Sequence, residues 1–355
     1  MFADAEGWID NVEEVRITSP APRDTWWQLV ESDPLCFMYQ TPTGIDAICA
    51  AHNAHDESRL YEFPDGRRLL LPLYRSRLAP VAMSSLRSPK IGGVLAGEPV
   101  RASDLRAILA DLAALPNLRR IVRPTALQSE AWIDAAPEDV SSNECVSHVL
   151  ELDEDFTRVF KEKFNSQARR AVRKGEKAGL QIEHGDARQL LTPFYELLER
   201  SIDRWAAERG QPLLLARWRS RRSNSLERLR RTFGTFGDAC RIWLASVDGK
   251  PAAGIIVLFG RNAHYTRGAM DKDLAGPSRA SFLLQKLAIE EACSRGCRYY
   301  NMGESGSSDS LARFKRHFGA TEYHYPEYRF ERLPVSRWES GLRGAVRSLL
   351  SRRNR

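Results

Sequence analysis

An internal repeat is the feature that most constrains how this chain can fold. Three short sequences occur twice, in the same order: Asp65-Gly66 and Asp248-Gly249, Leu95-Ala96-Gly97 and Leu274-Ala275-Gly276, and Arg101-Ala102-Ser103 and Arg279-Ala280-Ser281. The copies lie 183, 179 and 178 positions apart. A period of this length is that of a whole domain, so it indicates a duplicated domain and not a solenoid of short repeats.

Each copy has the same predicted order of elements. Apolar runs on both sides of each Asp-Gly turn predict a β-hairpin. A Gly- and Pro-rich loop, a helix with apolar residues at helical spacing and a short apolar strand follow in both halves. The strands predicted for the second half are residues 242–247, 252–259, 262–268 and 299–302. This order predicts an α/β chain with mixed (α+β) sheets.

A basic helical insertion separates the two copies. Its second helix begins at Asn165 or Ser166, ends at Gly179 and carries five arginines and lysines between residues 169 and 177. Apolar residues at helical spacing near the C-terminus predict one more basic helix. The predicted regions are an N-terminal copy (1–150), the insertion, which belongs to the second half (151–232), the C-terminal copy (233–334) and a basic amphipathic C-terminal helix (335–355).

Charge and composition restrict the partners and the compartment. The net charge of +7 favours a phosphate-bearing partner, such as a nucleotide, a tRNA or an anionic membrane. The sequence has no run of about 18 apolar residues, and its acidic N-terminus lacks the apolar segment of a secretion signal. We therefore expect a cytoplasmic protein, with the inner face of the membrane as the alternative. The histidines form no HxxxH or HxH cluster, so no metal site is predicted.

Four segments of the second half carry a family signature, in the order residues 164–180 (FNSQARRAVRKGEKAGL), 265–271 (YTRGAMD), 299–303 (YYNMG) and 311–320 (LARFKRHFGA). With them, the chain from about Phe156 to Phe330 resembles the Fem-type aminoacyltransferases and the CelD-like acetyltransferases of exopolysaccharide loci. Both groups belong to the GNAT superfamily. The resemblance implies a tandem GNAT fold, with a degenerate first copy, and transfer of an activated acyl group to an amine.

The resemblance leaves the acyl donor open between acyl-CoA (acetyl-CoA) and aminoacyl-tRNA. The usual GNAT pyrophosphate sequence, Gln/Arg-x-x-Gly-x-Gly/Ala before a helix, is not intact here, and its nearest equivalent is residues 274–281. In this predicted loop Gly276, Ser278 and Ser281 would present backbone N–H groups to phosphate at a helix start, and Arg279 would add charge. The alternative is an ordinary capped helix terminus.

Three residues are candidates for catalysis. Lys315 matches the lysine of the family's Phe-Lys pair, which is associated with holding the donor and stabilising charge in the transition state; the alternative is a solvated surface lysine. Glu304 follows a strand end, where a carboxylate could accept a proton from the attacking amine, or it caps the next helix. His264 lies on a core strand and either faces the cleft or has a structural role.

The strand that contains His264 also supplies the candidates for acceptor binding, which are Tyr265 on the strand and Arg267 and Asp271 at its end. The acceptor is expected to be an amine of a cell-envelope, polysaccharide or small-molecule compound. The arginine-rich helices are either solvated basic faces or a track for the phosphates of tRNA.

Three functions remain open from the sequence. The first is an acyl-CoA-dependent N-acyltransferase, and the second is a Fem-type aminoacyltransferase that uses aminoacyl-tRNA. The third is a non-catalytic scaffold of polysaccharide assembly, held on an anionic membrane by the C-terminal helix. That helix could equally pack on its own domain.

Overall fold

The computed structural model describes residues 15–78, 81–84, 92–136, 140–306 and 308–332. The predicted C-terminal helix (335–355) lies outside these residues. The helices are α1 (Arg23–Ser32), α2 (Pro42–His52), α3 (Ala102–Ala114), α4 (Ser129–Ala135), α5 (Phe156–Glu162), α6 (Ser166–Glu176), α7 (Ala187–Glu208), α8 (Leu213–Asn224), α9 (Leu226–Thr235), α10 (Lys272–Ser278), α11 (Ala280–Ser294) and α12 (Asp309–Arg316).

The strands are β1 (Arg16–Thr18), β2 (Ala54–Asp56), β3 (Arg59–Glu62), β4 (Arg68–Leu71), β5 (Tyr74–Ser76), β6 (Val81–Met83), β7 (Leu95–Ala96), β8 (Arg119–Val122), β9 (Ser141–Glu151), β10 (Gln181–Gly185), β11 (Cys240–Val247), β12 (Lys250–Phe259), β13 (Ala263–Met270), β14 (Tyr299–Glu304) and β15 (Thr321–Glu331). They form an 11-stranded mixed sheet, in the order β10-β11-β12-β13-β14-β9-β15-β8-β6-β5-β2, and a 4-stranded sheet, β1-β3-β4-β7. The predicted α/β class with mixed sheets is confirmed.

Both predicted hairpins are present, and their turn residues explain them. Asp248 and Gly249 both have positive φ, at 48° and 74°, and they connect β11 to β12. A two-residue turn with positive φ at both positions matches the twist of the flanking strands. In the first half Gly66, with φ of 83°, serves the turn between β3 and β4.

The same arrangement of strands and helices occurs in both halves. In the first half, β6 pairs in parallel with β8, and α3 lies between them in the chain. In the second half β13 pairs in parallel with β14, and α10 and α11 lie between them. Parallel neighbours require such a helical crossover. Each half is thus an antiparallel meander that ends in one parallel pair.

The two halves exchange their last strands. β9 and β15 are both 11 residues long and start 180 positions apart. β9, from the first half, pairs with β14, whereas β15, from the second half, pairs with β8. The two exchanged strands also pair with each other, with Cys145 opposite Tyr325. These two residues are equivalent under the repeat, so a pseudo-two-fold axis passes between them.

The faces of β12 and β13 pack against different helices. Ile256 and Leu258 pack in a cluster with α7 and α9, whereas Ile255 and Val257 pack in a cluster with α11. Alternation of side chains along a strand places them on opposite faces. Among the described residues no helix combines the length and the apolar character needed to cross a membrane.

Candidate active site

A wedge opens between β13 and β14 in the second half. These parallel strands pair at only two positions, Ala263 with Tyr300 and His264 with Asn301. Beyond them β13 continues to Met270 and β14 to Glu304 without further pairing to each other. The carboxyl ends of both strands therefore border an opening in the sheet, which is where ligands bind in open α/β sheets.

Lys315 lies inside this part of the molecule. Its side chain is 1% exposed, and Nζ donates hydrogen bonds to the carbonyl oxygens of Gly303 at 2.7 Å and Glu304 at 2.8 Å. Gly303 has a positive φ of 72° and follows an irregularity in the pairing of β14 with β9. The left-handed backbone, which suits glycine, helps to turn the strand end towards the lysine. The alternative of a solvated surface lysine is therefore wrong.

The buried position changes the chemistry of Lys315. Burial lowers the pKa of its ammonium to about 7, although the nearby charge of Glu304 acts in the opposite direction. Both protonation states are therefore populated near neutral pH. An ammonium has three N–H donors, two of which the carbonyl oxygens accept, so the third can reach a ligand.

Glu304, whose carbonyl oxygen accepts from Lys315, also contacts Tyr325 through its carboxylate. The carboxylate of Glu304, which is partly exposed, accepts a hydrogen bond of 2.8 Å from the hydroxyl of Tyr325. Burial, followed by the charge of Glu304, raises the pKa of Tyr325 well above its usual range, so the phenol remains a donor. Ser308, and not Glu304, caps α12 by accepting from the backbone N–H of Leu311 at 3.3 Å. The capping alternative for Glu304 is therefore wrong.

Sequence reasoning missed His148, which lies on the exchanged strand β9. Its Nε2 is 3.1 Å from a carboxylate oxygen of Glu322, and its Nδ1 is 3.4 Å from the hydroxyl of Ser305. Burial lowers the pKa of His148, and the charge of Lys315 lowers it further. His148 and Lys315 are 167 positions apart in sequence, so no local pattern connects them. The only signal in the sequence was the internal repeat, under which β9 and β15 are equivalent at a distance of 180 positions.

His264 is brought into the same region, where β13 and β14 are still paired. Burial, with the charge of Lys315 as the second cause, lowers the pKa of His264 to about 3. The imidazole is therefore neutral near pH 7, and a group with this pKa accepts protons weakly there. Of the three catalytic candidates, Lys315 and Glu304 have the better geometry, since their atoms meet at the end of β14.

The predicted phosphate loop has a different structure. Gly276 and Ser278 lie inside α10, so the prediction of a loop there is wrong. Asp271 caps α10, since its carboxylate accepts from the N–H of Asp273 at 3.1 Å, and Ser278 donates its hydroxyl to the carbonyl of Leu274 at 2.6 Å. This capping stabilises a helix that the Gly-Pro pair did not predict.

Arg279 and Ser281 lie where α11 begins. Arg279 has a φ of 56° and separates α10 from α11, with its side chain exposed. The basic helix α6 packs beside this junction, because a Cβ added at Gly175 would lie 3.1 Å from Leu283 Cβ and 3.4 Å from the carbonyl oxygen of Arg279. Only these two of the four phosphate candidates are at a helix start.

The three candidates for acceptor binding make different contacts in the structure. The carboxylate of Asp271 is used in capping α10. Tyr265 is partly exposed and its ring covers Gly268, where an added Cβ would collide with the phenol oxygen. Arg267 donates from Nη2 to the side-chain oxygen of Asn224 at 2.7 Å. No group of three or more potential metal ligands occurs among the described residues.

Comparison with known proteins agrees with this geometry. Residues 162–316 match the model of the acetyltransferase (GNAT) domain. The crystal structure of FemX is similar over 91% of this chain and 99% of its own, with 11% sequence identity and a TM-score of 0.62. A conserved protein of unknown function from Bacteroides thetaiotaomicron is similar over 86% of this chain and 95% of its own, with 11% identity and a TM-score of 0.52.

No curated protein sequence matches the chain. At these identities the structural neighbours show the fold alone, and the match to the GNAT domain lies in the second half of the chain. The domain match and the similar fold confirm the resemblance to the GNAT superfamily that the sequence indicated. Residues 162–316 thus match the GNAT acetyltransferase domain, and the chain has a tandem GNAT fold similar to that of FemX.

Proposed function

We propose that this protein is an N-acyltransferase that transfers an acyl group from acyl-CoA to an amine of a cell-envelope, polysaccharide or small-molecule acceptor. One observation carries the proposal most: a buried lysine, Lys315, with a pKa of about 7, donates to two carbonyl oxygens at the open end of β14. The match of this half to the GNAT acetyltransferase domain supports acyl-CoA as the donor.

The proposed reaction assigns one role to each side chain. The amine attacks the thioester carbon, a C–N bond forms and the C–S bond breaks. The thiolate leaves, and the proton that the amine loses to Glu304 is passed on to it. The third N–H of protonated Lys315 would stabilise the negative charge that develops during this transfer. The carboxylate of Glu304 would accept the proton that the amine loses, with Tyr325 holding it in place.

The test measures thiol release over a panel of acyl-CoA compounds and amines, with the binding of each acyl-CoA followed by calorimetry. We expect at least one acyl-CoA to bind and to release thiol only when an amine is present. Thiol release that does not depend on the amine would indicate a hydrolase. Failure of every acyl-CoA to bind would overturn the proposal.

A second candidate is a Fem-type aminoacyltransferase that uses aminoacyl-tRNA. The observation in its favour is a set of four exposed basic side chains on α6 and directly after it. No carboxylate among the described residues pairs with any of them, which are Arg170, Arg173, Lys174 and Lys177. Such a set suits a phosphate backbone, and binding to it would weaken steeply with salt. Replacing Arg173 and Lys174 by Gln should reduce the salt dependence, whereas the same change at the exposed Arg219 and Arg222 of α8 should not.

The membrane scaffold is the third candidate. It depends on the helix predicted at 335–355, outside the described residues. Flotation of the protein with anionic liposomes, with and without residues 336–355, tests it. Equal flotation of both forms would exclude a membrane role for this segment.

A further inference from the structure

A β-bulge changes the face on which Arg267 lies. In the pairing of β12 with β13, Tyr265 is opposite Val257, but Arg267 is opposite Ile256, so Thr266 is an extra residue. Directly paired residues share a face of the sheet. The bulge therefore places Arg267 on the face of Ile256, where α7 and α9 pack, and Tyr265 on the face of α11. Bulges of this kind often direct a side chain towards a functional site.

The guanidinium of Arg267 has hydrogen-bond partners for only some of its N–H groups in this position. Its one polar partner among the described residues is the amide oxygen of Asn224, and its Nε is buried without a partner. Burial lowers the pKa of Arg267, as expected for a cation in an apolar surrounding. A guanidinium held here without a counter-ion costs free energy, and such a group calls for an explanation.

Two other buried polar atoms nearby also have no partner. They are the hydroxyl of Tyr39 and Nδ1 of His264. The rings of these residues lie edge to face, with centroids 6.1 Å apart, and the positive charge of Arg267 acts on the phenol of Tyr39. His264 is on β13, three positions before Arg267, and it pairs with Leu258 on the same face. Three buried polar atoms without a partner, on Tyr39, His264 and Arg267, thus lie on the same side of β13.

A second guanidinium adds positive charge to this region. Arg228 donates to the carbonyl oxygens of Ala51 at 3.1 Å and Arg222 at 2.5 Å, and no described carboxylate pairs with it or with Arg267. Burial lowers the pKa of His52 to about 4, and the charges of Arg228 and Arg267 contribute. The surface between α2, the start of α9 and β13 therefore has two cations without an anionic partner in the described part of the chain.

We infer that Arg267, assisted by Arg228 and Tyr39, binds an oxyanion, either a carboxylate or a phosphate. This oxyanion is carried by the acceptor, an assignment that rests on the proposed function. The acyl donor is the less suitable source, because the start of α11 packs on the opposite face of β12 and β13. The acceptor class is thus an amine with a negatively charged group, such as an amino acid or a phosphorylated amino sugar.

The binding test uses inorganic phosphate and acetate as probes, in chloride buffers of equal ionic strength. Thermal unfolding of the full chain is followed as each probe replaces chloride. We expect at least one probe to raise the Tm of the wild type, and the Arg267→Met variant to bind that probe at least about tenfold more weakly. The matched control is Arg261→Met, a change at an exposed arginine six positions earlier, which should bind the probe like the wild type.

Variant stability provides a second readout. Because Arg267→Met removes a buried cation that lacks a counter-ion, this variant should unfold in chloride at the same temperature as the wild type or higher. No effect of either probe on the wild type, or an equal effect on wild type and Arg267→Met, would overturn the site. A response to phosphate alone or to acetate alone identifies the oxyanion.

Kinetics separate this inference from the proposed function. For an amine that carries a carboxylate, Arg267→Met should raise KM at least about tenfold and leave kcat nearly unchanged. For the uncharged amide of the same amine, KM should not change. Probe binding at Arg267 without any acyl transfer would remove the proposed function and the acceptor assignment but not the anion site. Transfer with equal KM effects on both amines would overturn the acceptor assignment alone.

Discussion

Each half of this molecule has one pair of parallel strands, but the side chains beside the two pairs differ. The position 180 residues before Lys315 is Ala135, which ends α4 in the first half and is 2% exposed. The residues equivalent to Gly303 and Glu304 are Arg123 and Pro124. The fold therefore packs this helix against the sheet with a methyl group in one half and with an ammonium group in the other.

This difference shows which side chain the fold requires at this position and which one it does not. A buried ammonium costs several kcal/mol in the absence of full compensation, whereas a buried alanine does not. Since the first half folds without a cation at this position, the fold does not require Lys315. The lysine is better explained by the reaction we propose for the second half.

Removing the lysine should give the largest effect, because it makes the second half resemble the first. In Lys315→Met the rate of acyl transfer should fall about 1,000-fold, as when a single donor to a developing anion is lost. The free energy of unfolding should not decrease, because methionine has a similar volume and no buried charge. Thiol release and chemical denaturation measure the two quantities.

The control for Lys315→Met is Arg313→Gln, a change at an exposed residue on the same helix. It should keep the wild-type rate. A wild-type rate in Lys315→Met would contradict the role we propose for the lysine.

The hairpin strands of the two halves also differ. β12 runs unbroken from Lys250 to Phe259, whereas its equivalent is interrupted between β4 and β5, at Pro72. Proline has no N–H to donate to a sheet, so it ends the ladder at this point. The first half consequently divides its strands between two sheets, and the second half keeps one continuous sheet.

Introducing this break into the second half should have the next largest effect, in this case on the free energy of unfolding. Ile255, 183 positions after Pro72, is paired on both sides, with Trp243 and with Gly268. Ile255→Pro should lower the free energy of unfolding by about 3 kcal/mol or more. Chemical denaturation measures the change, and Ile255→Val, which keeps the N–H, should cost only about 1 kcal/mol. Equal midpoints for wild type and Ile255→Pro would show that the continuous strand is not needed.

Local features of the fold could be predicted from the sequence, and long-range ones could not. The Asp-Gly turns, the helix that Asn165 caps and the repeat itself depend on neighbouring residues or on simple comparison. The exchange of β9 and β15 depends on contacts between residues about 180 positions apart, for which apolar patterns give no register.

The candidate site shows the same division. Lys315 and Glu304 were found because they lie within or beside a family motif, and their separation in sequence is short. The burial of Lys315 was not predicted, because its two partners are backbone carbonyl oxygens, which no side-chain pattern reveals. Helix α10 was missed because the Gly276-Pro277 pair suggested a loop, whereas the cap at Asp271 stabilises the helix.

Glu304 offers a smaller test of the comparison, since the first half has Pro124 at this position. Glu304→Gln should reduce the transfer rate about 100-fold, because an amide cannot accept the proton of the attacking amine. The amide oxygen can still accept from Tyr325, so the stability should change little. The matched control is Glu290→Gln on α11, whose carboxylate pairs with Lys286 at 2.7 Å. Retention of the full rate in Glu304→Gln would assign the proton to another acceptor.

The smallest predicted effect is a dependence on pH that only the second half can have, because Ala135 does not titrate. If the ammonium form of Lys315 is the active one, kcat/KM should fall above pH 7, about tenfold per pH unit, as the proton is lost. The histidines that face this lysine, His148 and His264, have lowered pKa values, so neither gains a charge in this range.

The acceptor amine also titrates, so the ratio of the wild-type rate to that of Lys315→Arg is the quantity to measure. Arginine stays charged throughout this range, and the ratio should therefore fall between pH 7 and pH 9. Stability provides an independent check of the same pKa. Because the unfolded lysine binds its proton up to about pH 10.5 and the folded one up to about pH 7, wild-type stability relative to Lys315→Met should rise with pH between these values. A flat ratio together with a flat stability difference would mean that Lys315 keeps an ordinary pKa, and the contrast with Ala135 would then be one of packing alone.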